Sequence, residues 1–412
     1  MMRNVGIIGV GYTPIFVSKR KDVSIPEMIS EAVDAGFRNT GLTPEDIDAV
    51  IFGNMQTFEG VNLPHLWAVE HIRALGKPVM RIATGGTTGM SAFHAGYYHV
   101  ASGMADVVMV VTYEKHSEGD AQVGLMGIIT PEVMTMLQAG IDVTGGSGMG
   151  AIGGGSAGGI SFQAMSYLNH SGASIEHIDA MAAMERRNAA KNPYAHLKDP
   201  ECTAEKIAET AMVSYPIRFG HICPTTDGST VCILASEEKA AELADKVAWV
   251  WSVANCCSDA TTGNLVDGMI TDPAEQRPCM IAARQAYERA GIEDPKTEFD
   301  VIEIYNGFAH QTLMFLEKLG VCEVGEAHKL LEAGELEIEG RLPTNASGGV
   351  VSTNSIGTSA LNRVTEAALQ IMGKAEGGHQ VPKDVHKALA HSWGGLMQYV
   401  AVTVLGDTPP RK

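Results

Sequence analysis

The chain has 412 residues, 45% of them hydrophobic and 19% charged, which excludes a disordered chain and supplies about two or three domain-sized units. Lys plus Arg total 30 against 48 Asp plus Glu, and the formal net charge of −18 repels phosphate backbones and anionic membranes, so nucleic acid is not an expected partner. No apolar run reaches bilayer-spanning length, and Met1–Asn4 leads into a strand-like run without a signal-peptide pattern; a cytoplasmic, non-membrane protein is expected.

In chain order, Val5–Val10 reads as a strand, Ile25–Phe37 as an amphipathic helix and Asp48–Phe52 as a buried strand. Leu66–Leu75 and Met90–Val100 follow as longer amphipathic stretches, and Asp106–Tyr113 as another strand. This rhythm indicates an α/β chain. Between about His116 and Thr230 it breaks into Gly-rich and polar sequence, including Thr144–Gly150 and Gly153–Gly159, so a long insertion is expected there. Met-rich sequence at Leu125-Met126 and Met134–Met136 suits a pliable cover over a bulky group. The rhythm resumes with Val231–Leu234, Trp249–Val253, Met280–Ala290, Asp300–Tyr305, Gln311–Leu319, Ser355–Gln370, His386–Ser392 and Tyr399–Leu405.

The two ends also resemble each other. Ala32–Gly36, a linker and Asp48–Asn54 parallel Ala286–Gly291, a linker and Asp300–Asn306. Gly-rich openings at Gly85–Gly89 and Ser347–Val351 follow in corresponding places, which points to a duplicated α/β unit.

Several local motifs carry little. Gly6-x-x-Gly9-x-Gly11 fails the dinucleotide fingerprint because Pro14 stands at the third glycine's place. Gly154-Gly155-Ser156-Ala157-Gly158 has nucleophile-elbow spacing but no buried strand ahead of it. Seven cysteines without a C-x-x-C give neither a disulfide framework nor a zinc site, so no metal is expected. More informative is Thr84–Gly96, where a small-residue helix opens after a strand; the N–H groups around Gly86, Thr87 and Thr88 suit a thioester oxyanion.

Six segments together give the chain a family likeness. They are Asp106–Lys115, Glu185–Ala195, Cys223–Gly228, Glu303–Ala309, Asn345–Gly349 and His391–Gly395, and with them the whole chain resembles the thiolase superfamily, in its sterol-carrier-protein-type branch. The resemblance implies a duplicated, five-layered α/β/α/β/α fold. It divides the chain into residues 1–272, with a covering-loop insertion at about 116–230, and residues 273–412. It also implies a homodimer and a coenzyme A thioester substrate, with coenzyme A as part of substrate or product and no bound cofactor. Arg186, Arg187 and Lys191 would neutralise the coenzyme A phosphates, beside Ser347 and Gly348.

The departures from the family pattern bear on mechanism. The nucleophilic cysteine's place falls on Gly86, the histidine of the Gly-His-Pro motif on Asn354, and the late cysteine on Ser392, next to His391. Where the family has Asn or His ahead of an acidic residue, this chain has Tyr305 followed by Asn306. Without a thiolate the acyl-enzyme step has no evident carrier. Helix N–H groups and amide side chains still stabilise an enolate, and retro-aldol cleavage of a β-hydroxyacyl-CoA needs only that and one base. Tyr305 or His391 is the candidate base, Tyr305 provided its pKa falls well below its usual ~10.

Two other activities stay open. One is a non-classical thiolase or acyltransferase whose nucleophile has moved to Cys256, Cys257 or a hydroxyl, or that borrows groups from a partner subunit; the other is a non-catalytic acyl-CoA-binding scaffold. Steroid side-chain aldolases and benzoylsuccinyl-CoA thiolase, which belong to this branch, are assembled with a small partner bearing a zinc ribbon and an OB fold, so a heterotetramer is implied by the same likeness. The aldolase pattern places a second tyrosine where this chain has Asn354.

Overall fold

The structure, a computed structural model, describes residues 2–57, 59–60, 62–119, 156–258, 272–395 and 398–410. The Met-rich stretches at Leu125-Met126 and Met134–Met136 and the glycines of Thr144–Gly150 lie outside the described residues.

Strand β1 (Val5–Tyr12) leads into helix α1 (Ile25–Thr40), whose limits follow from its sequence. At its start the Ser24 N–H donates to the Glu27 carboxylate at 2.7 Å and the Ser24 hydroxyl accepts from the Glu27 N–H at 3.4 Å. At its end Gly41 takes a left-handed conformation, φ 74°. Met28, Ile29, Ala32 and Val33 form its buried face, against a core that includes Val50, Phe52 and Val111. Met28, Ile29 and Val33 each contribute about 1.5–3 kcal/mol on removal from water.

Next come β2 (Ala49–Gly53), β3 (Val79–Ile82), the helix α2 (Thr88–Ala101) and β4 (Val107–Glu114). The insertion follows, carrying α3 (Ser156–Ser171), α4 (Ile175–Lys191) and the small hairpin β5 (Met212–Ser214) and β6 (Ile217–Arg218). The chain then returns as β7 (Gly228–Ser236), which pairs antiparallel with β4, so the insertion leaves and rejoins the sheet at neighbouring strands. The second set comprises β8 (Ala248–Cys257), α5 (Arg277–Ala290), β9 (Val301–Ile304), α6 (His310–Lys318), α7 (Ile356–Met372), β10 (Lys387–Gly394) and β11 (Tyr399–Gly406).

Strand order shows the duplication directly. The ladder runs β3-β2-β4-β7-β1-β8-β11-β10-β9, and beyond β9 Thr344 bridges Ile302 in parallel, as β3 flanks β2. The strand order of the second set reverses that of the first, and the two meet at β1 and β8, which share only the pairs Gly6–Trp249 and Ile7–Ala248. Strand β8 precedes residue 273 and belongs by pairing to the second set. Between the sets lie the central helices α2 and α7, with α1 and α5 on the outside, giving the five layers the sequence implies. The central helices cross backbone to backbone: a Cβ on Gly89 would stand 2.5 Å from Leu361 N and 2.7 Å from Gly357 O.

One element differs from the sequence expectation. Leu66–Leu75 forms only a short helix, Pro64–Trp67, followed by turns with Arg73 and Gly76 in left-handed conformations. Ala68 and Ile72 are nonetheless fully buried, so the apolar spacing is satisfied by turns rather than by a helix.

Candidate active site

The site is built where β3 and β10 end. After Ile82 the chain turns through Gly85, φ 63°, and enters α2. Thr84 N–H donates to Thr88 Oγ1 at 2.9 Å, Thr88 Oγ1 donates to Gly85 O at 2.6 Å, and Thr87 Oγ1 donates to Thr84 O at 2.6 Å. Both threonine hydroxyls are therefore committed to shaping the turn, and Thr87 and Thr88 are buried. The end of β10 closes over this turn. A Cβ on Gly394 would lie 2.5 Å from Gly86 N and 2.7 Å from Thr87 N, and a Cβ on Gly86 would lie 2.5 Å from Trp393 O. Two glycines thus allow the backbones to touch, and backbone groups rather than side chains line this end.

Tyr305 follows β9 and stands opposite. Its hydroxyl is 3.3 Å from the point a Gly86 Cβ would take. Tyr305 is 3% exposed, its ring packs edge-on against Trp393 at 5.7 Å, and its hydroxyl contacts Ile356 O at 3.3 Å and Asn354 Oδ1 at 3.5 Å. Burial pushes the phenol well above its ordinary pKa; the nearby Cys223 and Glu114 add to the rise and Arg363 opposes it. The lowered value required of a resting base is therefore absent, and Tyr305 rests as a neutral phenol.

Asn354 joins Tyr305 to Cys223. Its Nδ2 donates to Cys223 Sγ at 3.1 Å, and its Oδ1 also accepts from Ser359 Oγ at 3.2 Å. Cys223 N–H donates to Gly307 O at 3.0 Å, tying the segment ahead of β7 to the chain just past Tyr305. Cys223, Trp393 and Gly86 remain partly exposed, whereas Asn354 is buried.

Other sequence-selected residues lie elsewhere. His391 is fully buried with its ring 4.2 Å from that of Phe315, and neither ring nitrogen has a hydrogen-bond partner among the described residues. Burial lowers its pKa to about 3, so it is a neutral core histidine and not the base. The neighbouring Ser392 projects from the other side of β10, where its buried hydroxyl donates to Met90 Sδ at 3.5 Å. Cys257 is exposed and pairs with Tyr399, which pairs with Gly394; two strand spacings, roughly 10 Å, separate Cys257 from the site floor. A Cys256→Ala, Cys257→Ala double variant is expected to retain turnover within about twofold, since surface changes away from a site alter little. Loss of turnover on assay would return these thiols to the mechanism.

Asn306 belongs to the scaffold. Its Nδ2 donates to the Glu185 carboxylate oxygens at 2.7 and 2.8 Å, and its Oδ1 accepts from Val350 N–H at 2.8 Å. Glu185 also accepts from Asn345 Nδ2 and Thr312 Oγ1, and burial raises its pKa to about 7 against these hydrogen bonds. Ser347 Oγ donates to Glu303 at 2.7 Å, and Gly348, φ 95°, packs on Ala189; neither is free for coenzyme A.

Arg186 is likewise buried and donates to Val351 O, to Ser352 Oγ at 3.2 Å and to Ile222 O at 3.5 Å. Arg187 and Lys191 are paired with Glu337 and Glu339 at 2.7 and 3.2 Å. Helix α4 therefore uses these cations to join the insertion to the second half, Arg186 from a buried position and Arg187 and Lys191 in part-exposed pairs. Among the described residues no group of three or more His, Cys, Asp or Glu side chains is placed to hold a metal ion.

Comparison with known proteins accords with this architecture. The thiolase N-terminal domain model matches residues 5–201 and the thiolase C-terminal domain-like model residues 261–407. An acetyl-CoA acetyltransferase of Methanothermobacter thermautotrophicus is 25% identical over 406 residues, 98% of this chain and 99% of the relative. A 17-hydroxy-3-oxo-4-pregnene-20-carboxyl-CoA lyase of Mycobacterium tuberculosis is 27% identical over 372 residues, 89% of this chain and 91% of the relative. A solved Ltp2–ChsH2 (DUF35) aldolase superposes with a TM-score of 0.80 at 23% identity, covering 99% of this chain and 98% of that one. With both halves matched in tandem and a mirrored strand order around two central helices, the chain belongs to the thiolase superfamily.

Proposed function

We propose that this enzyme makes or breaks a carbon–carbon bond next to a coenzyme A thioester by aldolase-like chemistry, without a covalent acyl-enzyme. One observation carries the reading: Gly86 has no room for a Cβ, and the Tyr305 hydroxyl lies 3.3 Å from where that Cβ would be. The backbone groups at Gly86 and Thr87 face the thioester oxygen as it gains enolate charge, the step such donors stabilise most. In condensation the Tyr305 phenol protonates the carbonyl oxygen that becomes the β-hydroxyl. In cleavage the small phenolate fraction that the raised pKa leaves in equilibrium with the resting phenol takes that proton back while the Cα–Cβ pair becomes the enolate. Lyase relatives fit this direction of use.

The test offers the enzyme β-hydroxyacyl-CoA and β-ketoacyl-CoA panels with and without free coenzyme A. Cleavage of the hydroxy compounds without free coenzyme A supports the reading; thiolysis of the keto compounds that needs it refutes the reading. The raised Tyr305 pKa fixes the sign of the pH dependence. The phenolate fraction grows about tenfold per pH unit below the pKa, so kcat/KM for cleavage is expected to climb from about pH 7 to pH 9 without a plateau. A maximum near pH 6–7 would assign the base to another group.

A small zinc-ribbon/OB-fold partner on a homodimer completes this reading, since the aldolase it resembles in fold is described as an Ltp2–ChsH2 (DUF35) assembly. Co-expression followed by light scattering tests it, a heterotetramer being expected and a lone chain contrary. Among the described residues no helix is long and apolar enough to cross a membrane, and the cytoplasm is the proposed compartment.

A further inference from the structure

Aldolase-type cleavage leaves an enolate whose α-carbon must gain a proton, and neither Ser392 nor His391 is placed to give it. Ser392, at the family's late cysteine, is buried with its hydroxyl on Met90 Sδ, and His391 is turned into the core against Phe315. A different thiol reaches the site. Cys223 Sγ accepts from Asn354 Nδ2 at 3.1 Å, and the same amide's oxygen contacts the Tyr305 hydroxyl at 3.5 Å. A Cβ on Gly307 would lie 4.0 Å from Cys223 Sγ and 3.6 Å from the Trp393 indole, so the absent side chain there leaves space bordered by both the sulfur and the aromatic ring. Cys223 is also partly exposed, while Tyr305 and Asn354 are 3% and 4% exposed. With Asn354 donating to the sulfur, the thiol's own proton is left free of the amide.

Resting on the lyase reading, we propose that Cys223 is the proton carrier at the carbon α to the thioester, a second acid–base group beside Tyr305. The atoms balance as follows. The Tyr305 phenolate takes the β-hydroxyl proton, the Cα–Cβ bond breaks with its electron pair passing to the enolate, and the C–O bond becomes C=O. Cys223 S–H then gives its proton to Cα and becomes a thiolate. One proton passing from the phenol to the thiolate returns the pair to the minor phenolate–thiol form from which the cycle began, in equilibrium with the resting phenol. A thiol is a far stronger acid than a C–H next to a thioester, so the donation runs downhill.

Two groups ready the sulfur for this exchange. The Asn354 amide donor and the Arg186 guanidinium both favour the thiolate, against burial that raises the thiol's pKa to about 11. Arg186, which the sequence offers as a phosphate ligand, thereby gains an electrostatic role through its contact with Ile222 O beside Cys223.

Exchange of α-hydrogen isolates this step. The full chain is incubated in D2O with propionyl-CoA, which has no β-oxygen and cannot be cleaved, and deuterium uptake at the α-carbon is read by mass spectrometry. Wild type is expected to exchange. Cys223→Ser and Cys223→Ala are expected to lose about 100-fold or more with coenzyme A affinity retained, in line with a lost acid–base group. Ser392→Ala is expected to exchange within about threefold of wild type, its hydroxyl being turned away.

If the serine variant fails to fold, carboxamidomethylation of the native chain at Cys223 reads the same loss. Undiminished exchange after either change, or none by wild type, overturns the role of Cys223. That outcome leaves the cleavage panels to judge the lyase reading. Failure of those panels with Cys223-dependent exchange intact overturns the lyase reading alone.

Discussion

Tyr305→Phe is expected to lower the rate of carbon–carbon cleavage by about 10²–10⁴-fold, the usual contribution of a positioned acid–base group. Coenzyme A affinity should stay within about twofold, because the hydroxyl acts at the β-oxygen and not on the nucleotide. The change removes one oxygen from a buried ring whose packing against Trp393 is otherwise preserved. The hydroxyl's two contacts are long, 3.3 Å to Ile356 O and 3.5 Å to Asn354 Oδ1, so little stability goes with it. Steady-state rates with a β-hydroxyacyl-CoA, beside calorimetric coenzyme A binding, check both halves. Wild-type turnover in this variant would remove Tyr305 from the mechanism.

Gly86→Cys, which puts the family's nucleophile back by sequence, is expected to harm the protein rather than convert it. The new Cβ would meet Trp393 O at 2.5 Å, a backbone atom on a paired strand that cannot swing aside as a side chain does. Overpacking of this kind costs about 1–3 kcal/mol. Relief requires the end of β10 to move away from Gly86 and Thr87, which misaligns the backbone donors, and a shift of about 1 Å at a reacting centre costs roughly 100-fold in rate. The variant should therefore unfold at lower temperature, lose most cleavage and gain no coenzyme A-dependent thiolysis. A stable Gly86→Cys chain that thiolyses β-ketoacyl-CoA would show that the site is an ordinary thiolase lacking one side chain.

Much of this was written locally in the chain. The Ser24–Glu27 box and Gly41 bound α1, and the repeated helix, turn and buried strand announced the mirrored strand sets. Gly86, Tyr305 and Asn354 were legible because each falls within a short motif near one end of a strand or helix. The late motif offered both His391 and Ser392, yet adjacent residues of a strand face opposite sides, so the two cannot share one pocket.

The insertion helices were hidden because α4 buries Glu185, Arg186 and Asn188, polar residues that a hydrophobic pattern does not detect. Their partners, Asn345 and Ser352 among them, lie more than 150 positions along the chain. The contact between Cys223 and Asn354 spans 131 positions and leaves no local trace either.

The absence of a covalent acyl-enzyme is tested most directly by intact-protein mass spectrometry of the full chain, acid-quenched during turnover of an acyl-CoA. The predicted spectrum holds the unmodified mass alone while shortened acyl-CoA accumulates. An acyl adduct that forms and decays at the rate of turnover, on any cysteine or hydroxyl, would contradict it.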